Sequence, residues 1–106
     1  MEVHDCFTIA EVMALEDLGF YAPGTAAAAS ADGETRHDGK RPVNTSGGLK
    51  AKGHPVSATG AGQVVEIFEQ FNQRAGGRQV PKAEVALAHN VGATGGSCSV
   101  HLFSRR

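Results

Sequence analysis

The sequence predicts an α/β fold of order β-α-β-α-β-β, a mixed sheet with helices packed on it. Three observations predict it. Two segments carry apolar residues at helical spacing, short runs rich in β-branched residues flank them, and glycines separate the last two runs as a hairpin turn would. All 106 residues are assigned to one domain, because a chain of this length supports a single small core.

Taken in order, the opening MEVHDCF reads as a strand that is already inside the core. Domains rarely begin so abruptly, so the domain is expected to be incomplete at its N-terminus. Thr8 is placed as an N-cap with Glu11 three residues on, the spacing of a capping box. Ile9, Val12, Met13, Leu15 and Leu18 then recur at helical spacing until Gly19, which predicts a helix over 9–18. Residues 20–46 are read as mostly loop: no period persists, and Pro23-Gly24, Asp32-Gly33 and Asp38-Gly39 are turn signals on both sides of the AAAAS run. The stretch RPVNTSGG, from Arg41, is read as a short second strand.

The second helix is carried by Ala61, Val64, Val65, Ile67, Phe68 and Phe71, and is expected to run to about Arg74. Ser57 or Thr59 is its expected cap, and Gly76-Gly77 its stop. VPKAEVALAHN then reads as a strand with Val85 and Leu87 on one face. Gly92, Gly95 and Gly96 form the turn, and SCSVHLF returns antiparallel.

Bulk composition narrows the function. A net charge of −1 gives no electrostatic footprint for nucleic acid or an anionic membrane. No apolar run reaches the roughly 18 residues of a membrane helix, and the start lacks the pattern of a secretory signal. Cys6 and Cys98 are too few for a disulfide scaffold and read as thiols of a cytoplasmic protein. Their spacing from the histidines matches no structural zinc pattern, so no metal is expected.

Four clusters could do chemistry: His4-Asp5-Cys6, Gly53-His54-Pro55, His89-Asn90, and Gly95-Gly96-Ser97-Cys98. Each falls at a strand end or turn, where α/β folds gather reactive groups. Taken singly, each also has an ordinary structural reading. A histidine before a proline is a common loop residue, His-Asn can satisfy nearby backbone, and a lone cysteine behaves as a small hydrophobe. The stretch GGLKAKGHPVSATG, residues 47–60, is not a phosphate loop, because it lacks G-x-x-x-x-G-K-[ST]. It does lead into a helix, whose first N–H groups can hold a carbonyl or anionic oxygen. Together, imidazoles, a thiol and fixed N–H donors are what acyl-thioester chemistry requires.

GGLKAKGHPVSATG resembles the GG-x-x-A-x-GHP-x-G-A-T/S-G stretch of the thiolases. HDCF at 4–7 and His89-Asn90 narrow the resemblance to sterol-carrier-protein-type thiolases and their lipid-transfer relatives, over Val3 to Phe103. Other thiolases have Asn-Glu-Ala-Phe and the Cys of Cys-x-Gly at those two places. The resemblance implies a partial thiolase-fold C-terminal domain. It implies that His54 helps activate a nucleophilic cysteine and line an oxyanion hole, with Gly53 beside it. Cys6 would act as acid/base on the substrate α-carbon or leaving thiol, and His4 would bind a water or the thioester oxygen. His89, Asn90 and Gly92 would lie against substrate. Ser57 stands where the family usually has glycine.

The implied substrate is a coenzyme A thioester, with no separate cofactor. Thiolases form their acyl intermediate on a cysteine of the N-terminal half, which lies outside this chain, and Cys98 matches no nucleophile of the family pattern. The resemblance therefore implies a segment inactive alone, partnered by an N-terminal thiolase half or by a homo- or hetero-oligomer. Without neighbouring strands, sheet edge and apolar helix faces are expected to be exposed. The alternative is a non-catalytic or aldolase-type lipid-transfer relative working with a partner on steroid or lipid thioesters. In that branch tyrosines take over the acid–base work, and the only tyrosine here is Tyr21.

Overall fold

The computed structural model of the chain describes residues 1–92 and 94–106. Its elements are α1 (Thr8–Asp17), α2 (Ala26–Ala31), α3 (Gly48–Lys52), α4 (Thr59–Phe71), a 3₁₀ turn at Gly76–Arg78, β1 (Val85–Val91) and β2 (Cys98–Ser104). The α/β class and the closing antiparallel hairpin are as expected, with register running from Val85 opposite Ser104 to Val91 opposite Cys98. The turn expected over Gly92–Gly96 includes Ala93, which lies outside the described residues; the Gly92 N–H donates across it to Ser97 O.

The order β-α-β-α-β-β needs correction, because neither of its first two strands forms. The opening segment meets β1 through one parallel bridge, Glu2 to Ala88, made by Glu2 N–H to Leu87 O and His89 N–H to Glu2 O. Side chains capture the donors that would have extended the ladder. The Val3 N–H donates to Asn44 Oδ1 at 2.8 Å, and the His4 N–H points at His89 Nδ1 at 3.4 Å. Residues 41–48 bond instead to Thr35 and Met1, then turn at Asn44, whose φ of +50° no strand residue adopts.

Two further expectations fail for a similar reason. Thr8 and Glu11 do not form a capping box: Phe7 is the N-cap of α1 and makes no side-chain cap bond. The Thr8 hydroxyl accepts from Lys50 Nζ and the Glu11 carboxylate from Asn44 Nδ2, so both are drawn to the loop that carries α3. At α4 the N-cap is Ala58, not Ser57 or Thr59. Within 20–46, the alanine run is helical as α2, its first free N–H held by Glu16 Oε1 at the end of α1.

Val3, Ala14, Leu15, Tyr21, Ala26 and Val43 form the apolar core between the opening segment, α1 and α2. Helix α4 packs on β1 with the opposite logic. Gln63, Glu66 and Gln70 face inward beside Ile67, with Gln63 only 2% exposed. Val64, Val65 and Phe68 are 43%, 59% and 53% exposed. Polar residues can face inward only if every group is paired. Gln63 Nε2 donates to His89 O at 2.9 Å, and Glu66 accepts from Arg78 Nη2, Gln70 Nε2 and Thr45 Oγ1. Burial alone would raise the Glu66 carboxyl, but those donors hold it below the ordinary carboxylate value.

The apolar period of α4 therefore does not mark the face that stabilises this chain. Leu15→Ala is expected to lower stability by about 3 kcal/mol, while Phe68→Ser changes it by no more than about 0.5 kcal/mol. Urea unfolding of the two variants beside the parent chain checks both; a loss for Phe68→Ser as large as for Leu15→Ala would refute the assignment.

Candidate functional site

The glycine loop is shaped by what its residues must do locally. α3 begins after Gly47, at Gly48 with φ of +60°, and ends at Gly53 with φ of +100°, conformations in which a side chain is strained. Nothing lies within 4 Å of where a Gly53 Cβ would sit, so glycine is needed there for backbone and not for space. His54 follows at once and is exposed. Its Nδ1 lies 2.7 Å from Thr59 Oγ1, and that hydroxyl donates to Pro55 O at 3.2 Å. In the tautomer that satisfies both contacts, Thr59 gives its one proton to Pro55 and accepts from His54 Nδ1–H, which leaves the Nε2 lone pair free.

His54 meets a second histidine. The rings of His4 and His54 are 5.0 Å apart between centroids and stand edge to face at 88°. His4 is 7% exposed, and its Nδ1 is buried without a hydrogen-bond partner. Burial, then the neighbouring His54, pushes the His4 imidazole below its ordinary value; burial, then His4, does the same to His89. Both shifts favour the neutral ring. A neutral imidazole can donate one proton and accept another without bringing a charge into the site.

A cavity of about 380 Å³ opens between α1 and the hairpin. His4, Cys6 and His89 line it, with Met13 from α1, Leu18 just after that helix and Cys98 from β2. Both thiols are free. Of the residues singled out from sequence, His4, Cys6 and His89 thus share one cavity, and His54 touches His4 without lining it. Asn90 faces the start of α4, its Nδ2 3.4 Å from Gln63 Oε1 and 3.0 Å from the position of a Gly60 Cβ. Gly92 approaches Ser97, whose Oγ would lie 2.2 Å from a Cβ added to it. Among the described residues, no three His, Cys, Asp or Glu side chains converge as metal ligands would.

A family profile described as thiolase C-terminal domain-like matches residues 1–105. The chain belongs to that family. An acetyl-CoA acetyltransferase of Methanothermobacter thermautotrophicus is 54% identical over 105 residues, which are 99% of this chain and 27% of the relative. Sterol carrier protein 2 of Oryctolagus cuniculus is 45% identical over 103 residues, 97% of this chain and 19% of the relative. An acetyl-CoA acetyltransferase of Methanocaldococcus jannaschii is 44% identical over 108 residues, 97% of this chain and 28% of the relative. This thiolase C-terminal domain thus spans about a fifth to a quarter of the length of the relatives it matches.

Two residues of the domain were not visible as site residues in the sequence. Thr59 reads as a helix cap, yet its hydroxyl orients His54; its place five residues after the histidine was the one available signal. Gln63 lies outside the apolar period that marks α4 in the sequence, and its side-chain amide holds the backbone of His89. Ser57, where glycine is usual in the family, adopts φ of +71°. Ser57→Gly is expected to raise stability by about 0.5–1 kcal/mol, the left-handed strain relieved less the extra freedom of an unfolded glycine. Thermal unfolding of this variant tests the point, and an unchanged or lower midpoint would count against it.

The histidines give a pH signature. A histidine whose folded pKa is depressed leaves the unfolded chain the better proton acceptor. Its contribution is complete above the ordinary value of 6.5 and is lost as pH falls from there towards the folded pKa. Ring signals of His4 and His89 are expected to titrate below 6.5 in an NMR pH series; midpoints at or above 6.5 would contradict the burial argument.

Proposed function

We propose that the chain is the C-terminal catalytic segment of a thiolase-type acyltransferase acting on acyl-CoA thioesters in the cytoplasm. The nucleophilic cysteine comes from a thiolase N-terminal half outside this chain, without which the segment is inactive. The observation that carries the reading is His54, held through Nδ1 by Thr59 with Nε2 free, and set edge-on to a buried, neutral His4.

The chemistry follows from those groups. His54 Nε2 takes the thiol proton of the partner cysteine, and the thiolate attacks the thioester carbonyl. As the carbonyl becomes an oxyanion, the N–H of neutral His4 donates to it. Collapse breaks the C–S bond to coenzyme A, and the departing thiolate takes the proton of Cys6, leaving an acyl group on the partner cysteine. In condensation the Cys6 thiolate then takes a proton from the α-carbon of a second thioester, and the carbanion attacks the acyl carbonyl to form the C–C bond. The released partner thiolate recovers its proton from His54. Thiolysis is the same sequence in reverse, so that it breaks the C–C bond of a 3-oxoacyl thioester. Asn90, His89, Gly92 and Gly53 border the path of the substrate in this reading.

The exposed face of Val64, Val65 and Phe68 on α4 is the apolar surface that such a partner half would cover. The aldolase-type alternative is not favoured. It calls for a tyrosine at the site, and Tyr21 is buried in the core, its hydroxyl on Glu34 and Arg41 stacked 4.8 Å from its ring.

Co-expression with a cysteine-bearing thiolase N-terminal half is expected to give a complex with acyl-CoA thiolysis activity that neither part shows alone. In that complex His54→Ala should reduce turnover by about 10²–10⁴-fold, the range for losing a general base. A stable complex with no activity, or activity indifferent to His54→Ala, would defeat the proposal.

A further inference from the structure

We infer that Asp5 is the positioning residue that sets His54 against His4. Asp5 lies between the two catalytic candidates of the HDCF segment, and neither its charge nor its burial is used by the chemistry above. It is 3% exposed, and its carboxylate accepts from two backbone amides at the start of α3, Leu49 N–H at 2.7 Å and Lys50 N–H at 3.4 Å. A Cβ on Gly48 would fall 2.3 Å from Oδ2 and 2.7 Å from Oδ1. The family's second loop glycine is therefore matched to this carboxylate: the close approach at Gly48 is made by the protein's own side chain.

These contacts close a ring of constraints. His4 is joined to Asp5 by a peptide bond. Asp5 is bonded to Leu49 and Lys50, and the single turn of α3 leads through Gly53 to His54. The ring of His54 returns to His4 at 5.0 Å. The loop has a second anchor upstream, where Glu2 accepts from the Ser46 N–H and hydroxyl, and Ser46 Oγ accepts from the Gly48 N–H. That anchor lies before the turn at Gly47 and Gly48, so it fixes where the loop arrives. Asp5 holds the backbone of the segment after the turn, while Lys50 Nζ on Thr8 and the buried Leu49 tie down its side chains and Thr59 holds the His54 ring. Length matters as much as charge, since a carboxylate one methylene longer no longer ends where the Leu49 and Lys50 amides meet Asp5 at 2.7 and 3.4 Å.

The inference rests on His54 as the functional histidine, but its test reads geometry and not turnover, so the two can fail separately. The full 106-residue chain is compared with Asp5→Ala, Asp5→Asn and Asp5→Glu by NMR, following the His4–His54 ring NOE and amide exchange. Asp5→Ala is expected to abolish the ring NOE and speed exchange at Leu49 and Lys50 by at least about tenfold, while amides of β1 and β2 keep their protection. Asp5→Asn keeps one acceptor oxygen and should restore Leu49 protection and part of the NOE. Asp5→Glu keeps the charge but misplaces it, and should resemble Asp5→Ala. If Asp5→Ala does not fold, Asp5→Asn and Asp5→Glu decide. An unchanged NOE in Asp5→Glu, or loss of hairpin protection in step with loss of the NOE in every variant that folds, overturns the positioning role.

Discussion

Four consecutive residues, Glu2 to Asp5, are buried in an extended segment beside β1, and most of the rest is hung from them. Val3 enters the apolar core. Glu2 takes the backbone and hydroxyl of Ser46, and Asp5 takes the amides of Leu49 and Lys50. A buried carboxylate is tolerated only where donors satisfy it, and here the donors belong to one loop. Burial raises the Glu2 carboxyl above its ordinary value in spite of the Ser46 donors. The glycine loop is thus held by hydrogen bonds to the carboxylates of a neighbouring segment, with Leu49 the one buried apolar side chain of α3.

The same economy of apolar contact explains α4. Its inward face is glutamine, glutamate and threonine, satisfied by β1, by Thr45 and by the turn that follows the helix. Gln70 is the clearest case: its amide donates to Thr45, Glu66 and Arg78 O, while its oxygen accepts from Val80 N–H and Gln79. A polar seam of this kind fixes orientation through directional bonds, while the outward valines and phenylalanine leave an apolar face open.

At the site, burial and hydrogen bonding divide the labour between two histidines. His4 is pressed towards neutrality by its burial and by the neighbouring His54, while His54 stays exposed with its Nδ1 on Thr59. Cys6 and His89 complete a cavity whose remaining walls are largely apolar.

By itself the sequence determined the α/β class, the two main helices, the closing hairpin and the family, because each is written in local periodicity or contiguous motif. GGLKAKGHPVSATG, HDCF and His-Asn are short enough in span to be read without knowing what they touch. Only the tertiary structure decided what long-range bonds control. The opening segment yields a bridge and not a strand, because Asn44 and His89 take its donors. Thr8 and Glu11 abandon a capping box for Lys50 and Asn44, distant in sequence by 42 and 33 residues. The apolar stripe of α4 faces outward, because a fully paired polar face wins the position against β1. Asp5 reads from sequence as one member of the reactive His4-Asp5-Cys6 cluster, with no partner indicated for its carboxylate. Its role exists only where Gly48, lacking a Cβ, lets two backbone amides reach it.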